Sequence, residues 1–161
     1  MYFVNLLEMR YLKYFISIIL FFIFATSSVW ANPTVQLLTK RHRTEWNWVE
    51  YRISLTNTSS EPIANPEIHY YAADPAVTAT VDPISNRYSI TSTSTPVGNM
   101  SDIKLSVAGT LNSKSKIEIH FRIYKTGWVA YDFSKDWSHQ KNMNDVEPNY
   151  FMAVYDASHK I

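Results

Sequence analysis

The feature that most constrains this chain is a strict alternation of residues from Ile117 to Tyr124. Large apolar residues occupy every second position, and charged or polar residues occupy the positions between them. A period of two over eight residues is typical of a β-strand with one buried face. The Lys125-Thr126-Gly127 segment that follows predicts a turn, because glycine gives the backbone extra freedom there.

The rest of the chain after residue 31 repeats this theme of short strands and turns. Trp48 to Thr56 alternates in the same way, and small polar residues with a proline at 57–62 predict a turn. Further strands are predicted at Val35–Leu38, Ile63–Ala72, Thr78–Val81, Tyr88–Thr91, Ile103–Val107 and Tyr150–Tyr155. Without any sustained helical period, this pattern predicts an all-β, antiparallel β-sandwich.

The first 31 residues have a different composition and predict a secretory signal peptide. Two basic residues precede an apolar run from Tyr14 to Phe24, and a short polar segment then ends at Ala31. The run is too short to span a bilayer, which needs about 20 residues. We therefore expect a secreted, extracellular domain at 32–161. An uncleaved membrane anchor is the alternative interpretation.

Charge and cysteine content exclude several classes of function. Of the 15 basic and 14 acidic residues, two basic and one acidic lie in the leader, so 13 of each sign remain and the formal charge of the rest is zero. Nothing in that balance favours nucleic acid or an anionic membrane as a partner. The basic run from Lys40 to Arg43 is interpreted as a solvated strand end or loop. The absence of cysteine excludes thiolate catalysis and a cysteine-based zinc site.

Two stretches resemble a known family. Residues 117–138 read IEIHFRIYKTGWVAYDFSKDWS, and the pattern resembles the late core of the family 3 carbohydrate-binding modules without a gap. Residues 52–71 resemble the family's early strand, its N-T-G-S-S turn and the strand after it. The resemblance implies a jelly-roll of about nine strands that binds cellulose or a related plant cell-wall polysaccharide without catalysis, in company with other polysaccharide-degrading proteins.

The resemblance also implies where the ligand would bind. The family's flat strip contains an arginine and a tryptophan six residues apart, a polar anchor, a tyrosine and an aspartate–histidine pair. These positions fall on Arg122, Trp128, His120, Tyr88 and Asp82, with Pro83 in place of the histidine. Two purely structural alternatives stay open: Trp128 could be a buried residue at the sandwich edge, and Arg122 could form a cross-strand ion pair.

A structural Ca²⁺ is the second implication of the resemblance. The matching ligand positions are Asp74, Asp132 and Asp136, and oxygen ligands are those that a hard cation requires. Lys135 stands where the family has an asparagine ligand. Alternatively, Lys135 simply neutralises Asp132 and Asp136 on the surface, at little energetic gain.

Catalytic constellations are hard to find in this sequence. Glycosidases need two carboxylates facing each other across a cleft, and the sequence pairs none. The five histidines lack an HxH or HxxxH spacing, and no serine lies in a recognisable nucleophile turn. We therefore expect polysaccharide binding rather than an enzyme. A structural or protein-interaction β-sandwich with a degenerate sugar-binding strip is the alternative, and a small secreted hydrolase is a third.

Overall fold

The computed structural model describes residues 35–82, 88–139, 146–156 and 161. The predicted leader at 1–31 and Pro83 lie outside these residues. Eleven strands are described: β1 (Val35–Thr44), β2 (Trp48–Asn57), β3 (Ile63–Ala64), β4 (Glu67–Ala72), β5 (Val77–Val81), β6 (Ser89–Val97), β7 (Met100–Ala108), β8 (Thr110–Leu111), β9 (Lys116–Lys125), β10 (Glu147–Pro148) and β11 (Ala153–Tyr155). In the described part of the chain, no helix is both long and apolar enough to cross a membrane.

The strands form two main antiparallel sheets. One has the order β10-β1-β2-β9-β5 and the other the order β11-β4-β7-β6, while β3 and β8 form a small third sheet. The predicted all-β, antiparallel β-sandwich is confirmed. Three of the eleven strands are only two residues long, so the eight longer strands come close to the predicted number of about nine.

The centre of the five-stranded sheet is the pair β2 and β9, the two stretches with the clearest alternation. Their register sets Val49 opposite Ile123 and Tyr51 opposite Phe121, and these side chains are buried. The residues between them, such as Glu50 and Arg122, therefore point away from the core.

Aromatic rings join the two main sheets. Tyr51 and Phe121 from one sheet stack at 5.5 Å between ring centroids, and Tyr70 of β4 lies 5.6 Å from Tyr51. All three are almost completely buried. Burial of large rings is a strong stabilising contribution, so this cluster holds the sheets in a fixed relation.

Several predicted strands differ in extent from those observed. The stretch predicted at Ile63–Ala72 is divided into β3 and β4, and the strand predicted at Tyr88–Thr91 is observed as β6, which continues to Val97. The first strand was predicted at Val35–Leu38, but β1 continues to Thr44 through the basic run, with a bulge between Arg41 and Arg43. The last strand was predicted at Tyr150–Tyr155, but β11 contains only Ala153–Tyr155.

The shortening of β11 has a local cause. The Asn149 side-chain oxygen accepts hydrogen bonds from the backbone N–H groups of Phe151 and Met152, at 2.8 and 3.1 Å. This asparagine turn competes with strand pairing and leaves Tyr150 and Phe151 exposed.

The loop after β9 is fixed to the second sheet through Asp136, which is buried. Its carboxylate accepts hydrogen bonds from the Tyr70 hydroxyl at 2.8 Å, the Tyr131 hydroxyl at 2.5 Å and the Ala73 N–H at 2.9 Å. A one-turn 3₁₀ helix, Phe133–Lys135, precedes it. The loop is therefore part of the packed domain.

Candidate functional site

The outward-facing side chains of the five-stranded sheet form a surface that we call the outer face. Cross-strand register places Trp48 opposite Tyr124, and Glu50 opposite Arg122. Directly opposed residues point to the same side of a sheet. Because β2 and β9 are neighbours, aromatic rings and a guanidinium meet on one face.

Trp128 reaches this face from the turn after β9. Its ring stacks on that of Tyr124 with 4.2 Å between centroids and only 5° between planes. The side chain nevertheless stays 45% exposed. A buried position at the sandwich edge, the alternative for Trp128, is therefore wrong.

The backbone at Trp128 adopts an unusual conformation. Its φ is +56°, in the left-handed region that bulky residues rarely occupy. The turn is closed by a hydrogen bond from Trp128 N to Lys125 O at 2.9 Å, and the Asn47 side chain donates to Trp128 O at 3.3 Å. Gly127 also has a positive φ, of +83°. Such strain persists only where the surroundings impose it, and here it accompanies the stacking of an exposed indole on Tyr124.

Arg122 is held by two neighbours on β2. Its guanidinium lies over the Trp48 ring at 4.5 Å from the centroid, and its Nη2 atom lies 3.7 Å from Glu50 Oε2. The cross-strand ion pair considered as an alternative for Arg122 is thus present, and it coexists with exposure of more than a third of the side chain. We call Trp48, Arg122, Tyr124 and Trp128 the strip.

Glu50 lies at the centre of several nitrogen-bearing side chains. Its carboxylate is 3.9 Å from both His42 Nε2 and Arg52 Nε, in addition to its contact with Arg122. The Glu50 side chain is only 14% exposed. A buried carboxylate requires such partners, so Glu50 orients the arginines on either side of it.

A small hollow adjoins Arg122. Its volume is about 50 Å³, and Glu50, Thr80 and Asp82 line it together with Arg122. The Nε atom of Arg122 is buried and has no hydrogen-bond partner among the described residues. A buried donor without a partner costs free energy. The hollow separately gives a small ligand group access to the Arg122 side chain that lines it.

The five residues implied by the resemblance are distributed unevenly. Arg122, His120 and Asp82 lie close together, because Asp82 N donates to His120 O at 2.9 Å at the end of β5. Trp128 follows on the same side through its stack on Tyr124. Tyr88 differs from these four: it is half-buried and packs against the core beside Gly109. No described contact joins the Tyr88 ring to Arg122.

Two strip residues had no assigned role in the sequence. Tyr124 was recognised only as an alternating residue, and Trp48 only as the start of the alternating stretch that ends at Thr56. The alternation itself places both on the outward side of their strands. Their roles depend on the β2–β9 register, which brings together residues more than 70 positions apart.

The three predicted calcium ligands do not fit a calcium site. Both oxygens of Asp136 already accept protein hydrogen bonds, and burial raises the pKa of its carboxyl group. The Asp74 carboxylate binds Lys125 Nζ at 2.6 Å, and this lysine lowers the pKa of Asp74. Asp132 caps the 3₁₀ helix through Ser134.

Acidic and histidine side chains do not cluster there either. No group of three histidine or acidic side chains suited to a metal occurs among the described residues. The positive charge that neutralises Asp74 is an ammonium group of the protein itself.

Comparison with known proteins agrees with this architecture. The model of the cellulose binding domain family, CBM_3, matches residues 34–161. No curated protein matches the chain significantly.

Solved structures of this family share the fold. A family 3b module from a scaffoldin of the Bacteroides cellulosolvens cellulosome is 25% identical, with a TM-score of 0.67 over 82% of this chain and 96% of that one. The family 3b module of the ScaA scaffoldin of Acetivibrio cellulolyticus is 23% identical, with a TM-score of 0.65 over 80% and 94%. A family IIIa domain from Clostridium cellulolyticum is 21% identical, with a TM-score of 0.66 over 79% and 94%. The chain belongs to the cellulose binding domain family, the family 3 carbohydrate-binding modules.

Proposed function

We propose that this domain binds cellulose or a related plant cell-wall polysaccharide through the strip and performs no chemistry on it. One observation carries the proposal: the exposed Trp128–Tyr124 stack and the Arg122 guanidinium over Trp48 lie on one face of one sheet. The similar solved structures include a family 3b scaffoldin module and a family IIIa domain, and the matching family model is that of the cellulose binding domain. Both support the same ligand class.

The strip suits a sugar chain for a physical reason. Pyranose rings present faces of C–H groups, and flat aromatic rings remove those faces from water at about 25 cal/mol per Å². The planar guanidinium of Arg122 can lie along a ring while it donates hydrogen bonds to hydroxyl groups. Trp128 and Arg122 therefore supply stacking and hydrogen bonding side by side.

The hollow beside Arg122 adds a directional contact. It has room for a water-sized group, and the Arg122 guanidinium that lines it would donate a hydrogen bond to a sugar hydroxyl that entered it. Either Glu50 or Asp82 would accept the one hydrogen bond that this hydroxyl donates. A hollow of this size cannot enclose a sugar ring, so the two carboxylates cannot flank a glycosidic bond as those of a hydrolase do.

We further propose that the domain acts outside the cell. The signal peptide predicted at 1–31 supports secretion, and polysaccharide in a cell wall is accessible only there. Other polysaccharide-degrading proteins would act on the same substrate. Detection of a mature protein beginning at Asn32 in culture supernatant would test this assignment.

A depletion assay tests the proposed function. Purified 32–161 is mixed with microcrystalline cellulose, chitin or insoluble xylan, and the protein left in solution is measured after centrifugation. We expect depletion by cellulose to exceed depletion by the other two. Equal recovery of protein from the supernatant with and without cellulose would contradict the proposal.

A second candidate function, docking of a protein, is favoured by exposed aromatic residues beyond the strip. Trp137, Tyr150 and Phe151 are 68%, 85% and 62% exposed. Their chain segments are joined by a hydrogen bond from Ser138 Oγ to Phe151 O at 2.8 Å. If Trp137→Ala and Phe151→Ser together change neither self-association nor cellulose adsorption, this candidate loses its support.

A further inference from the structure

The basic run of the sequence contributes to the outer face. Lys40 lies opposite Arg52, and Arg43 lies opposite Glu50, across the β1–β2 pair. The Arg52 guanidinium contacts His42 Nε2 at 2.8 Å, so His42, in the bulge, also lies on this side. Only Arg41 turns the other way, toward His139.

We call Lys40, His42, Arg43 and Arg52 the basic patch. It borders the strip directly, because Arg52 lies opposite His120 on β9 and Arg43 lies over the Trp48 ring at 5.3 Å. Neighbouring strands are about 4.8 Å apart. Patch and strip together therefore form one continuous surface across three strands.

The charge on this surface is unbalanced. Lys40, Arg43, Arg52 and Arg122 are permanent cations, and the carboxylates among them are Glu45, 2.9 Å from Arg43, and the shared Glu50. Asp82, in the hollow beside Arg122, and the Lys116–Glu118 ion pair on β9 border the same surface. Five cations against four carboxylates leave an excess of one positive charge. The chain after residue 31 has no net formal charge, so the excess is local.

A neutral glucan has no group that requires this excess. Arginine and lysine instead match carboxylates, and the arginine guanidinium can bind one through two parallel hydrogen bonds. We infer that the basic patch extends the strip into a site for acidic polysaccharide, with uronic-acid carboxylates on the patch and sugar rings on the strip. This inference rests on the proposed function of the strip.

The electrostatic contribution of the basic patch and the apolar contribution of the strip can be separated by varying the salt concentration and the charge of the ligand. The Debye length falls from about 10 Å at 0.1 M salt to about 3 Å at 1 M. Polygalacturonate should therefore bind at least about tenfold more weakly at the higher salt. Adsorption to cellulose, which relies on apolar contact, should change by less than about twofold.

The experiment compares polygalacturonate with its fully methyl-esterified form, which has the same backbone without the charge. The variant Lys40→Gln/Arg52→Gln removes two patch charges and leaves every strip residue in place. The matched control Lys104→Gln/Lys135→Gln removes two charges elsewhere, with Lys104 on the other sheet. We expect the patch variant to bind polygalacturonate about tenfold more weakly and cellulose normally. The control should match wild type on both ligands.

The other possible outcomes distinguish the inference about the basic patch from the proposed function of the strip. Binding of cellulose but not polygalacturonate overturns the inference and leaves the proposed function intact. Salt-sensitive binding of polygalacturonate without cellulose binding supports the patch and refutes the cellulose assignment. Failure to bind either polysaccharide overturns both. If the domain binds the esterified form, or duplex DNA, as tightly as polygalacturonate, then the patch does not recognise carboxylates of a sugar chain and the inference is overturned.

Discussion

At Trp128 the chain accepts a left-handed backbone in order to stack an indole on Tyr124 and leave it exposed. Conformations of this kind cost about 1–3 kcal/mol for a residue with a side chain. A residue selected for stability alone would be glycine. The strain at Trp128 therefore supports the proposal that the position of its ring matters for binding.

The strain can be measured with two substitutions at Trp128. Both Trp128→Ala and Trp128→Gly remove the ring, but only glycine relieves the positive φ of +56°. We expect Trp128→Gly to have a free energy of unfolding about 1 kcal/mol higher than that of Trp128→Ala. Chemical denaturation of both variants checks this. Equal values, or a less stable glycine variant, would show that the turn is unstrained.

The contribution of Arg122 to cellulose binding should depend on the planar shape of its guanidinium as well as on its charge. Arg122→Lys keeps the positive charge near Glu50 but loses the planar group over Trp48. We expect about a tenfold loss of cellulose affinity, equivalent to about 1.4 kcal/mol. Arg52→Lys, outside the strip, is the matched control and should adsorb normally. If the two variants adsorb equally well, planarity of Arg122 is irrelevant.

At the scale of elements, protein hydrogen bonds fasten the loop after β9, and we propose that they do so without a metal. Asp136 accepts three hydrogen bonds, from Tyr70 of β4, from the backbone N–H of Ala73 and from Tyr131. The Asp74 carboxylate forms an ion pair with Lys125. A metal bound only by the native state would raise its stability by mass action. We therefore expect excess EDTA to leave the thermal midpoint unchanged, as measured by calorimetry. A lower midpoint that added Ca²⁺ restores would reinstate the calcium prediction.

The Lys125–Asp74 ion pair should make the free energy of unfolding depend on pH, and the sign of this dependence follows from the pKa of Asp74. Lys125 lowers the pKa of Asp74 in the folded state below its usual 3.8. The stabilisation is therefore present above pH 3.8 and lost as pH falls through the lower, folded pKa. Lys125→Met should cost up to about 1 kcal/mol at pH 7, and this difference from wild type should vanish at strongly acidic pH.

The control for that experiment is Lys135→Met. Lys135 pairs with Asp132 at 3.6 Å on the surface, where both side chains are more than half exposed. Screening by solvent makes such a pair worth little, so this variant should match wild type throughout. A constant deficit of Lys125→Met at every pH would mean that the lysine acts by packing.

The elements that the sequence predicted best are those whose pattern is local. Alternation placed β2 and β9, because burial of one face imposes a period of two wherever a strand runs. The extension of β1 through Lys40–Arg43 was missed, since a run of charged residues gives no apolar signal. The shortening of β11 was missed because Asn149 captures two backbone N–H groups.

At the scale of the whole domain, the candidate site depends on register, which is not local. Arg122 and Trp128 follow from the resemblance in a single stretch. Glu50 and Trp48 hold Arg122 from a strand about 70 residues away, and only the β2–β9 pairing reveals them. The local charge of the outer face is likewise invisible in a balanced composition.

The strip on the outer face is the central claim, and adsorption of wild type and Trp128→Ala to microcrystalline cellulose tests it most directly. Loss of the exposed ring should remove about 1–2 kcal/mol of contact and weaken adsorption about tenfold or more. The thermal midpoint should fall only slightly, because the ring supports no core residue and loses only its stack on Tyr124. Undiminished adsorption, or a loss of adsorption explained by unfolding, would contradict the account.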